Sequence, residues 1–154
     1  MNNRRLQGWN AQKTAFTYAK DRKFEPGLRS GALYQDLGLA EATGGQFHGE
    51  IIKVNPEFVE AEKITAQNTA GTQPHDTTGM HRHGYDFQFN YVISGEVDFV
   101  IDGFDETMTF RAGDTYFLPS KTLHNETRMT EDFQVLQLYA PANDPTEQLT
   151  PEVP

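Results

Sequence analysis

No cysteine occurs in the 154-residue chain. That absence removes disulfides, thiolate nucleophiles and every zinc or iron–sulfur site built on sulfur. Any metal held here must rest on nitrogen and oxygen donors. Basic residues are scarce as well: 13 Lys and Arg stand against 22 Asp and Glu, for a formal charge of -9. Such a surface repels phosphate backbones and is poorly attracted to anionic lipid, so neither nucleic acid nor a membrane is an expected partner. No apolar run approaches the roughly 20 residues that a membrane-spanning helix needs. The opening MNNRRLQGWNAQK carries basic residues with no apolar stretch behind them, unlike a secretory signal, and a cytoplasmic location is the default expectation.

What is present suits strands. Hydrophobic residues make up 36% of the chain, with 11 Phe and 6 Tyr among them, enough for one core in one domain. Residues 1–30 are polar and weakly patterned and read as an extended arm. A short strand is expected at Ala32–Leu37, then a helical turn at Leu39–Thr43 stopped by Gly44-Gly45. Phe47–Val54 reads as a strand closed by Asn55-Pro56. Glu57–Gln67 is ambiguous between edge strand and loop, and Thr69–Gly79 has the composition of a loop. Further on, apolar runs of strand length recur at Phe87–Ile93, Val97–Ile101, Glu106–Phe110, Thr115–Leu118, His124–Arg128 and Phe133–Tyr139. Turn signals at Gly95, Asp102-Gly103 and Gly113 separate several of them. Pro145, Pro151 and Pro154 mark an irregular acidic tail over 144–154. This spacing predicts an all-β β-barrel or jelly roll over 31–143.

His81 and His83 are the centre of the chemistry. Residues two apart on a strand point to one face, so both imidazoles can reach one ion. Gln88, Asn90 and Val92 share a face of the next strand, with Phe89 and Tyr91 on the other. The Gln88 amide oxygen can complete a site; Asn90 either lines the same cavity or satisfies a strand neighbour. His124 suits a ligand arriving from an adjacent strand. Alternation also puts His124, Glu126 and Arg128 on one face. Arg128 then either clamps a substrate carboxylate in two-pronged fashion or stays solvated beside Glu126 or Glu131. Asp86 reads as a loop carboxylate, His75 as exposed, and His48 has no motif around it. Tyr85, Phe87, Phe89 and Tyr91 suit core packing or a dimer interface, and Trp9 is a candidate anchor for the arm.

Two stretches resemble the motifs of the cupin superfamily. The first motif has H-x-H, three or four residues, Glu, six residues and Gly; here His81-Arg82-His83 leads through Gly84–Phe87 to Gln88 and on to Gly95. The second has Gly, five residues, Pro-x-Gly, two residues, His, three residues and Asn; here Gly113, Pro119, Lys121, His124 and Arg128 fall at those places. The resemblance spans about residues 75–140, with motifs at 79–95 and 113–128. It implies a single-domain cupin β-barrel (a double-stranded β-helix or jelly roll) and one divalent metal on His81, His83, Gln88 and His124. Three positions depart from the pattern. Gln88 replaces Glu, which leaves a divalent site nearer +2 than +1 or, if Gln88 does not ligate, three histidines and water. Lys121 replaces a turn Gly, and Arg128 replaces Asn. A His-His-Gln-His set also occurs in cupins resembling the uronate-processing type.

These readings imply a small-molecule metalloenzyme: a dioxygenase, lyase or isomerase acting on an oxygen-rich, carboxylate-bearing substrate, with Arg128 and Asn90 as candidate contacts. The alternative is a non-catalytic cupin that binds or senses a small metabolite through the metal. Fe, Mn, Ni and Zn all suit the donors. A homodimer is expected, because an arm of this composition cannot fold alone.

Overall fold

The computed structural model describes residues 12–29, 31–58, 79–143 and 146–149. Eleven strands follow in order: β1 (Glu25–Pro26), β2 (Ala32–Asp36), β3 (His48–Val54), β4 (His81–His83), β5 (Phe87–Ser94), β6 (Glu96–Ile101), β7 (Met108–Arg111), β8 (Thr115–Phe117), β9 (His124–Met129), β10 (Gln134–Ala140) and β11 (Thr146–Gln148). A 3-10 turn at Ala19–Asp21, one short helix, α1 (Leu39–Ala42), and a helical stretch at 56–58 complete the regular structure of the described residues. The strands form two antiparallel sheets, β1-β2-β3-β10-β5-β8 and β11-β4-β9-β6-β7, in the jelly-roll arrangement.

Alternation decides which side chains enter between the sheets. On β5, Gln88, Asn90 and Val92 are buried while Phe87 and Tyr91 are exposed. On β6, Val97, Phe99 and Ile101 point inward, as period-2 burial requires. Together with Val54, Val92, Leu118, Phe133 and Val135 they form the core, and Ile52, Met108, Phe110, Tyr116 and Met129 pack against it. Gly95 joins β5 to β6 with φ at +67°, and a Cβ there would lie 2.4 Å from the Thr130 hydroxyl and 2.7 Å from the Phe133 backbone. No other residue fits that turn without displacing the adjoining chain.

α1 packs on the outer face of the larger sheet, and the arm is tied to α1 and the loop before it. Lys13 donates its backbone N–H to the Ala42 carbonyl (2.7 Å), and the Thr17 hydroxyl donates to the Leu37 carbonyl (3.3 Å). Leu39 of α1 sits so close to Gly49 of β3 that an added Cβ would meet it at 3.1 Å. Around β5 and β8, Phe87, Tyr91, Ile93 and Phe117 are exposed.

Most expected strands are found within a residue or two of their sequence bounds. The tail differs: it was expected to be irregular, yet Thr146–Gln148 is a strand on the edge of the smaller sheet, paired with β4. Arg82 and Glu147 form an ion pair across that edge (2.7 Å), and Leu149 donates its N–H to the Met80 carbonyl (2.9 Å). The sequence pattern carries no apolar run there; backbone pairing with β4, together with polar side-chain contacts across the edge, makes the strand. Of the 57–67 stretch, read as edge strand or loop, residues 57–58 are instead helical and residues 59 onward lie outside the described residues, as do Trp9, His75 and most of the 69–79 loop. No helix among the described residues is long and apolar enough to cross a membrane.

Candidate metal centre

β4 lies between β9 and β11, and its register sets His81 opposite His124. Both side chains are buried, with 2% and 1% of their surface exposed. His83, two residues on, turns to the same side. The three rings gather closely: centroids are 4.2 Å apart for His81 and His124, 5.0 Å for His81 and His83, and 5.2 Å for His83 and His124. One ring nitrogen from each lies within 4.8 Å of the others, a separation that one ion can bridge.

Each ring is oriented by its Nδ1. His81 Nδ1 donates to the Gly79 carbonyl (2.7 Å), His124 Nδ1 to the Thr122 carbonyl (2.9 Å), and His83 Nδ1 bonds the Thr146 hydroxyl (2.9 Å). With every Nδ1 engaged, the three Nε2 atoms are left for a shared partner, the arrangement in which outer hydrogen bonds fix ligand histidines. Burial is the main cause that depresses both His81 and His83, and the neighbouring imidazoles push His83 further, down to about 3. Neutral imidazole is the form that offers a lone pair to a metal. These residues fit a divalent ion.

The facing wall comes from the larger sheet. Gln88 and Asn90 enter the interior from β5, next to Gln137 of β10 and Glu50 of β3. A line of hydrogen bonds joins them. Gln88 Nε2 donates to Gln137 Oε1 (3.5 Å), Gln137 Nε2 donates to Glu50 Oε1 (3.5 Å), and Glu50 Oε2 meets His48 Nε2 (3.1 Å). A carboxylate only accepts, so Glu50 fixes the sense of the whole line. Gln137 must present its NH2 to Glu50 and its oxygen to Gln88, and Gln88 must present its NH2 to Gln137. The Gln88 oxygen is the atom that this line leaves uncommitted. Asn90 is fully buried, and neither its amide nitrogen nor its oxygen has a hydrogen-bond partner among the described residues. Aromatic contacts run along the same interior, His48 to Tyr139 (4.7 Å), Tyr139 to Tyr85 (4.2 Å) and Tyr85 to His83 (5.0 Å).

Arg128 is not brought to this interior. The β6–β9 ladder pairs Asp98 with Arg128 but Phe99 with Glu126, so Thr127 is an extra residue on β9. That bulge reverses the alternation. His124 and Glu126 face inward, whereas Arg128 turns outward, where its guanidinium donates to Asp98 (2.6 Å) and to Glu96 (2.6 Å). The expected shared face of His124, Glu126 and Arg128 therefore ends at Glu126. Asp86 is exposed. His48, unmarked by any motif, joins the interior through Glu50.

Several interior residues escaped the sequence reading as site residues. Glu126 Oε2 lies 3.7 Å from His81 Nε2; its position two residues after His124 is the signal that could have found it. Thr146 and Glu50 have no such signal, because distant strand pairing brings them in. Arg29, at the end of the arm, donates its backbone N–H to the Tyr34 hydroxyl (3.3 Å) and its side chain to Gln148 of β11. Its positive charge helps to depress His81 and His83.

Residues 69–139 match the family model described as the cupin domain. Among solved structures, the fold is similar to that of KdgF from Halomonas sp., at 16% identity with a TM-score of 0.59, covering 84% of this chain and 96% of that one. It is similar to the polyketide cyclase RemF from Streptomyces resistomycificus, at 15% identity with a TM-score of 0.65, over 90% of this chain and 87% of that one. It is also similar to part of Bacillus subtilis oxalate decarboxylase, a protein with Mn(II) centres, at 15% identity and a TM-score of 0.56, over 81% of this chain but 30% of that one. Among curated proteins, none matches the sequence. At these identities the likeness concerns the fold.

Proposed function

We propose that this chain, a member of the cupin superfamily, binds one divalent metal ion through His81, His83, Gln88 and His124 and uses it as a metalloenzyme on a small oxygen-rich molecule. The observation that carries this reading is the triple engagement of Nδ1, which reserves three converging Nε2 atoms. Support for Gln88 comes from the line of amides anchored on Glu50, which turns the Gln88 NH2 to Gln137 and frees its oxygen. Fe, Mn, Ni and Zn are all compatible with these nitrogen and oxygen donors.

When bound, such an ion polarises the oxygen atoms of a molecule beside it. The chain's own residues then select and hold that molecule. Four protein donors on a six-coordinate ion leave two positions for a chelating substrate or for substrate and dioxygen, which suits a dioxygenase, lyase or isomerase. Asn90 offers a buried donor and a buried acceptor to the substrate. Arg128 is held by Asp98 and Glu96 on the outside, away from such a substrate.

Metal content decides this reading. Protein reconstituted with Fe, Mn, Ni or Zn is expected to hold one ion per chain, and His83→Ala should lose most of it while His48→Ala keeps it. Clearly substoichiometric metal in the parent, or equal losses in both variants, would overturn the assignment. Oxygen uptake and product analysis against α-keto, enol and uronate compounds would then separate oxygenation from proton-transfer chemistry.

A further inference from the structure

The first motif of this chain places a neutral amide, Gln88, where its family pattern has a carboxylate. An acidic side chain nevertheless approaches one of these histidines, His81, from another strand. On β9, His124 pairs with Ile101 and Glu126 with Phe99, both inward-facing positions of β6, and the bulge at Thr127 comes only after Glu126. The Glu126 carboxylate therefore enters on the histidine side, with 21% of its side chain exposed, and stands 3.7 Å from His81 Nε2.

That contact is not an ordinary hydrogen bond. The Gly79 carbonyl can only accept, so His81 Nδ1 carries a hydrogen and, in the form that binds a metal, Nε2 presents the lone pair. A lone pair facing a carboxylate oxygen is repulsive unless a cation lies between them. An imidazole nitrogen and a carboxylate oxygen, each about 2.1 Å from one ion, lie about 3.0 Å apart at a right angle and about 3.4 Å apart at the tetrahedral angle. The observed 3.7 Å exceeds the first by about 0.7 Å and the second by about 0.3 Å, a gap that a rotation of the Glu126 side chain would close.

We infer that Glu126 is the carboxylate ligand of the metal centre, delivered from β9 in place of the acid that the first motif carries at position 88. The inference rests on the proposed metal site and extends it. Glu126 takes one of the two positions that four donors leave open. The site charge then falls from near +2 to near +1, so its preference for anions is weaker than Gln88 alone implies.

The test compares the parent with Glu126→Gln, Glu126→Asp, His83→Ala and the exchange variant Gln88→Glu/Glu126→Gln. Zn(II) affinity is measured by chelator competition, and the visible spectrum of the Co(II)-loaded proteins reports the ligand set. Glu126→Gln is expected to weaken Zn(II) binding on the order of 10- to 100-fold and to change the Co(II) spectrum. Glu126→Asp, which keeps the charge but shortens the reach, should fall between, and should decide the matter if the Gln variant does not fold. Adding Gln88→Glu should recover most of the lost affinity. If Glu126→Gln binds Zn(II) as the parent does, or loses affinity with an unchanged Co(II) spectrum, Glu126 is not a ligand. Should His83→Ala also bind like the parent, the failure belongs to the metal site itself and not to Glu126 alone.

Discussion

Lys121 donates its backbone N–H to the carbonyl of His83 across 2.7 Å while its own φ stands at +62°. The bond ties the turn before β9 to the end of β4, and so holds the two strands whose histidines must meet. Lys121 occupies a place where the family motif has glycine, and it keeps the left-handed conformation that glycine would adopt freely. A side chain there is strained. Lys121→Gly is therefore expected to stabilise the fold by about 1 kcal/mol, read as a higher urea midpoint with an unchanged slope. A lower midpoint would mean that the lysine side chain contributes more than its backbone strain costs.

Thr146 orients His83 from a strand that lies 63 positions further along the chain. Thr146→Val keeps the shape and removes the hydroxyl. Metal affinity should drop on the order of tenfold or more, as for other outer partners of ligand histidines, while Thr146→Ser stays near the parent. Chelator competition on the three proteins measures this. Equal affinities would show that β11 supports the fold without tuning the centre.

Glu50 fixes the sense of the Gln137 and Gln88 amides only because a carboxylate cannot donate. Glu50→Gln removes that constraint at nearly constant volume and allows Gln88 to turn its NH2 inward. Metal should bind about tenfold more weakly. Combining the change with Gln88→Ala should add little to the effect of Gln88→Ala alone, since both act through one oxygen. Fully additive losses would disconnect Glu50 from Gln88.

Asn90 buries an amide whose two polar atoms find no partner among the described residues. Such groups cost stability, on the order of 1 kcal/mol or more each, and are kept where a ligand uses them. Asn90→Leu should raise the denaturation midpoint and abolish retention of whichever α-keto, enol or uronate compound the parent binds. A variant that is less stable, with ligand binding intact, would remove Asn90 from the site.

Phe87, Tyr91, Ile93 and Phe117 form an exposed apolar patch on β5 and β8 of the larger sheet, with Phe87 and Phe117 in ring contact at 5.8 Å. Patches of this kind are commonly buried against a partner, and a second copy is the expected one. Light scattering should give twice the 17.4 kDa of the chain. Tyr91→Lys with Phe117→Lys should return it to the monomer mass, and a monomeric parent at micromolar concentration would end the proposal.

Much of this protein was legible from its residues because strand burial has a period of two and is local. The inward set Gln88, Asn90 and Val92, the pairing of His81 with His83 on one face, and the turn signal at Gly95 all follow from neighbours within a few positions. What tertiary structure decided lies where that local rule fails or where distance intervenes. One extra residue at Thr127 leaves no mark in composition, yet it sends Arg128 to the outer surface and ends the inward run at Glu126. The tail reads as irregular because it lacks apolar alternation, but an open edge of β4 supplies the hydrogen bonds that make it a strand and set Thr146 on His83. The line from Gln88 through Gln137 to Glu50 crosses three strands whose order β3-β10-β5 cannot be read from their sequence positions. A period of two tells a side chain which face to take; only the register between distant strands tells it what it will meet there.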